Sequence, residues 1–66
     1  MKSAIRWFRL KKGMTQEELA EKAKISRATL SGLESGRVTV TTTKTLARIA
    51  EALGESIDSI FFADEV

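Results

Sequence analysis

Apolar residues return along this chain at intervals of three and four, in short runs bounded by residues suited to start or stop a helix. Ile5 and Phe8 lie three apart and predict a first helix from Lys2 to Lys12, closed at Gly13. Thr15 followed by Glu18 is a capping box, in which hydroxyl and carboxylate satisfy each other's backbone donors. It opens a second helix from Gln16 to Ala23, with Leu19, Ala20 and Ala23 inward. Ser26 caps a short third helix carrying Leu30 and Leu33 on one side and closed by Ser35-Gly36. From Arg37 to Thr43 the β-branched residues are poor helix formers and predict an extended connection. Thr42 then caps a helix over Thr43 to Leu53, whose Leu46, Ile49, Ala50 and Leu53 form an amphipathic stripe ended by Gly54. Ser56 caps a last turn with Ile57, Ile60 and Phe61 inward, and the remaining tail either frays or pairs with another chain.

The pattern therefore predicts an all-α chain of five helices, and 66 residues predict a single domain spanning 1–66. With neither cysteine nor histidine, no disulfide and no metal site is expected, which leaves self-association as the way to reinforce a small core. No apolar run approaches the roughly 20 residues that span a bilayer. Lys2 and Arg6 interrupt the apolar residues where a secretory signal would need continuity, so a cytoplasmic protein is expected. No cofactor is expected, and enzymatic chemistry is disfavoured: Asp58, Asp64 and Glu65 have no nucleophile or metal spacing near them.

Charge changes the picture through its distribution. Residues 1–37 carry nine Lys or Arg against four acids, whereas residues 38–66 carry two against five. A basic N-terminal portion suits a polyanion, although a merely solvated charged face gives the same count. The second and third helices, joined by a short turn, have the arrangement that lays one helix across a phosphate backbone and the other in a major groove. Many helix pairs that never meet DNA share this layout, so the residues themselves must decide.

Gln16-Glu-Glu-Leu-Ala-Glu-Lys-Ala and Ile25-Ser-Arg-Ala-Thr-Leu-Ser-Gly-Leu-Glu-Ser-Gly resemble the Cro-like (XRE) helix-turn-helix family of phage repressors and bacterial regulators. Ile5…Phe8, Lys12-Gly-Met-Thr, Leu46…Ile49-Ala…Ala-Leu-Gly and Ile57…Ile60-Phe match around that core. The resemblance implies a lambda-repressor-like fold with the helix-turn-helix at about 16–35, and a function in sequence-specific binding of double-stranded DNA. It departs from the family at Lys24, where glycine is usual, and at Val40 or Thr41, where proline is usual.

Carried over by position, Arg27, Ala28, Thr29, Ser31 and Gly32 are the expected base-contacting residues. Arg27 is foremost among them, because its fork can meet guanine O6 and N7 together. Gly32 reads nothing itself and implies either close backbone approach to DNA or recognition through DNA shape. Arg9, Gln16, Ser26, Ser35, Arg37 and Lys44 are expected at phosphates, each with a solvated or simple capping role as its rival. Glu34 is expected to pair with Arg9 and tie the third helix to the first.

A homodimer on a near-palindromic operator is expected, probing two successive major grooves, with Ile57, Phe61 and Phe62 at the dimer interface. Trp7 and Leu10 fit the core face poorly. They form either an exposed patch for a protein partner or edge-of-core packing under the C-terminal tail. The competing reading is a protein-interaction module or antitoxin-like partner built on the same fold.

Overall fold

A computed structural model describes residues 2–38 and 41–62, with side chains described for 4–38 and 41–60. Five helices follow one another: α1 (Ile5–Lys11), α2 (Gln16–Ala23), α3 (Arg27–Ser35), α4 (Thr43–Leu53) and α5 (Ile57–Ile60). Two short strands, β1 (Lys2–Ser3) and β2 (Phe61–Phe62), pair antiparallel with Lys2 opposite Phe62 and Ser3 opposite Phe61. The fold is the expected all-α one of five helices, with this small ladder added.

Local chemistry sets most boundaries. The Thr15 hydroxyl accepts from the Glu18 N–H at 3.0 Å while the Glu18 carboxylate accepts from the Thr15 N–H at 2.8 Å. Ser26 Oγ accepts from the Thr29 N–H, Thr42 Oγ1 from the Thr45 N–H, and Ser56 Oγ from the Ser59 N–H. The first helix is shorter than the pattern predicted. Lys2 and Ser3 are drawn into pairing with Phe61 and Phe62, and the Ala4 N–H donates to the Ile60 carbonyl at 2.8 Å, so α1 opens only at Ile5. The same pairing ends α5 at Ile60 and corrects the placement of Phe61 as a helical residue.

Three helices close alike, with a six-to-one backbone bond over a left-handed residue: Met14 to Arg9, Ile25 to Ala20 and Glu55 to Ala50. The left-handed residue is Gly13 or Gly54 in two of them, and Lys24 at φ 60° in the closure of α2. A side chain there costs roughly 1–2 kcal/mol. Lys24→Gly is therefore expected to stabilise the fold by about 1 kcal/mol and raise Tm by about 4–8 °C on thermal unfolding. An unchanged or lowered Tm would mean that the Lys24 side chain compensates its own strain.

The core joins every helix. Ile5, Leu19, Leu30, Ile49, Leu53 and Ile60 are its largest fully buried side chains, with Ala20, Ala23, Leu33 and Ala50 filling between them. Small residues on α2 and α4 let these helices lie close together. The effect is to pin the inner side of α3 through Leu30 and Leu33 while leaving its other side to solvent. Among the described residues no helix is long and apolar enough to cross a membrane, and no acidic, His or Cys cluster fit to hold a metal occurs.

Candidate nucleic-acid interface

The outer side of α3 is set by spacing. Arg27, Ala28, Ser31 and Ser35 share one face of the helix; Arg27, Ala28 and Ser35 are exposed and Ser31 is half-buried. Arg27 stands immediately after the Ser26 cap at the helix N-terminus, where the backbone dipole is positive. Thr29 is turned further inward: its hydroxyl accepts from Ser26 Oγ at 2.8 Å, which fixes both side chains at the mouth of the helix.

Beneath this face lies a charged network linking three helices. Glu34 Oε2 accepts from Arg9 Nε at 2.7 Å, and Glu34 Oε1 accepts from Arg9 Nη2 and from Gln16 Nε2, each at 3.1 Å. Arg9 Nη1 donates to the Met14 carbonyl at 2.8 Å. The Arg9 and Glu34 side chains are only 9% and 4% exposed, so the pair is desolvated and rigid. Gln16, at the first turn of α2, is thus held in place before any ligand arrives. Arg9 was expected at phosphate as well as in the pair. The structure shows the pair, with the guanidinium held between Glu34 and the Met14 carbonyl.

Gly32 calls for a correction. It is buried, and a Cβ on it would lie 2.5 Å from Val38 Cγ2. The chain leaving α3 turns back over that helix, with the Val38 N–H donating to the Gly32 carbonyl at 3.0 Å. The returning chain is enough to account for glycine at this position. Gly32→Ala gains about 1 kcal/mol of helix propensity and loses about 1–3 kcal/mol to overpacking, so net destabilisation is expected. In a Val38→Ala background the same substitution is expected to become neutral or stabilising in urea unfolding. Equal effects in both backgrounds would dismiss the contact.

The same return places Arg37 beside α3: its Nη2 stands 3.7 Å from where a Gly32 Cβ would be. The Arg37 N–H donates to Ser35 Oγ at 3.3 Å, and Ser35 Oγ donates to the Gly32 carbonyl at 3.2 Å. Lys44 is exposed in the first turn of α4. Val40 lies outside the described residues, whereas Thr41, the other site of the family's usual proline, is half-buried. The face thus combines Gln16, Ser26, Arg27, Ala28, Ser31, Ser35 and Arg37 around α3.

Two features escaped sequence reasoning. Val38 covers Gly32 from six residues away, and its only trace in the chain is a β-branched residue shortly after the helix-ending glycine. Arg6, one turn before Arg9, lines a depression of about 260 Å³ together with Gln16, Ser31 and Ser35. Its spacing from Arg9 was the available sign.

Trp7 and Leu10 are 57% and 56% exposed, which of their two expected placements favours the exposed patch over the edge of the core. The Trp7 ring meets Phe8 edge-on at 4.8 Å, and Lys11 Nζ lies 4.7 Å from the centre of the Trp7 ring. Of the residues expected at a dimer interface, Ile57 is half-buried against the core; the Phe61 and Phe62 side chains lie outside the described residues.

Comparison with known proteins places this geometry among regulators. The family model described as "Helix-turn-helix" matches residues 5–60. An HTH-type transcriptional regulator of Methanothermobacter thermautotrophicus is 48% identical over 67 aligned residues, covering 98% of this chain and 94% of the relative. The crystal structure of SinR, the master regulator for biofilm formation, in complex with DNA is similar at a TM-score of 0.80 and 31% identity. That match covers 83% of this chain and 87% of the chain in that structure. The clp gene regulator ClgR of Corynebacterium glutamicum matches at a TM-score of 0.77 and 45% identity, over 85% of this chain and 58% of its own.

Proposed function

Because the chain belongs to the helix-turn-helix family of non-enzymatic, DNA-binding transcriptional regulators, we propose that it is a sequence-specific repressor. It acts as a homodimer, residues 1–66 forming one DNA-binding unit in the cytoplasm, on a near-palindromic operator. The observation that carries this reading is the outward face of α3. Arg27 has no hydrogen-bond or ion-pair partner among the described residues, and stands at the exposed start of a helix whose other side is locked into the core.

In this reading α3 enters the major groove. Arg27 reads guanine, while Ala28, Thr29 and Ser31 meet neighbouring base edges. Gln16, Ser26, Ser35, Arg37 and Lys44 hold phosphates on either side, and Arg9 supports them from beneath. Two copies joined through Ile57, Phe61 and Phe62 would set their α3 helices about 34–36 Å apart, one helical turn of DNA. Occupation of promoter DNA is then the whole mechanism of repression.

Selection of genomic fragments by the purified protein, followed by protection mapping, tests this. The expected result is a site with two related half-sites one turn apart, bound by two chains, with transcription falling as it fills. Retention of no fragment at low salt contradicts it. A second reading, a protein-interaction or antitoxin-like module, is favoured by the exposure of Trp7 and Leu10. It requires a partner whose binding is lost in Trp7→Ala while DNA binding is kept.

A further inference from the structure

We infer that Arg6 is a DNA-backbone contact, forming with Gln16 and Ser31 a seat for one phosphodiester between α1 and α3. The inference rests on the reading above and adds to it a residue outside the helix-turn-helix.

Arg6 is exposed and has neither hydrogen bond nor ion pair among the described residues. From α1 it lines the depression of about 260 Å³ whose opposite wall is the outer face of α3, at Ser31 and Ser35. Arg9 and Glu34, the other two charges in that lining, cancel each other in their bidentate pair. Arg6 is therefore the uncompensated charge of the depression, and the depression borders the face that carries Arg27. A duplex whose bases meet α3 must carry a strand past the flank of that helix, and Arg6 is the cation free to meet it. Gln16 at the start of α2 and the Ser31 hydroxyl offer the neutral donors that complete a phosphate's shell.

Lys11 supplies the control. It carries the same charge on the same helix, but five residues on it is turned to a different side and lies over the Trp7 ring. Binding of the full chain to a mixed-sequence duplex, followed by fluorescence anisotropy across a salt series, reads each charge separately and needs no knowledge of the operator. Arg6→Gln is expected to lower the slope of log affinity against log salt by about 0.9 and to weaken low-salt binding about fivefold. Arg6→Lys is expected to keep the slope, and Lys11→Gln to leave it unchanged. Circular dichroism should find all three folded, since neither side chain is buried. An unchanged slope in Arg6→Gln, or an equal fall in Lys11→Gln, overturns the seat and leaves the proposed function standing. Failure of the wild-type protein to bind any duplex overturns both.

Discussion

Arg27→Ala is expected to weaken binding to the selected operator by about 10- to 100-fold, which corresponds to about 1–3 kcal/mol, and to flatten preference at one position of each half-site. The size follows from what is lost. A bidentate pair to guanine O6 and N7 is made with two aligned charge-assisted bonds, and alanine leaves both acceptors facing an apolar methyl. Binding to mixed-sequence DNA should fall far less, since removal of one charge costs only its share of counterion release. Competition between operator and mixed-sequence duplexes at fixed salt separates the two. A uniform loss on all sequences would make Arg27 a phosphate contact and shift base reading to Ala28, Thr29 and Ser31.

The largest expected effect on stability lies at Glu34. Glu34→Ala leaves the Arg9 guanidinium buried with the Met14 carbonyl as its remaining protein acceptor and frees Gln16 from its anchor. Removing one partner of a buried pair costs about 3–5 kcal/mol, a large share of what a small single core supplies. The variant should be substantially unfolded without DNA, measured by circular dichroism in urea; Trp7 fluorescence is a poor probe because the ring is already exposed. The double substitution Arg9→Met with Glu34→Leu should recover most of the stability, since it buries no charge. It should not recover DNA affinity, because Gln16 then has nothing to hold it at the head of α2. A loss below about 1 kcal/mol in Glu34→Ala would mean that the pair is effectively solvated.

The contrast between Arg27 and Glu34 also marks how far the chain could be read from its letters. Thr15 with Glu18, Ser26 and Thr42 announce the starts of α2, α3 and α4, and Gly36 and Gly54 announce two of the ends, because caps are local chemistry. The outward face of α3 follows from the inward positions of Leu30 and Leu33. The Arg9–Glu34 pair was legible only through the family resemblance, and other features that depend on distant partners were not legible. Lys2 and Ser3 leave the first helix because Phe61 and Phe62 pair with them. Gly32 yields to Val38, a contact between an interior helix position and a returning loop. That Trp7 and Leu10 miss the core face was legible from spacing, since Ile5, Phe8 and Arg9 occupy the inward side of α1; which of their two placements holds was not. Arg6 acquires meaning only when α1 is seen beside α3.

Guanine N7 methylation of the selected operator, with and without bound protein, tests most directly whether the face opened by Arg27 lies in the major groove. Protection of N7 at one or more guanines in each half-site is expected with the wild-type protein, and its loss at one of them with Arg27→Ala at saturating concentration. Full N7 reactivity in the complex, or a protection pattern that Arg27→Ala leaves unchanged, would contradict it.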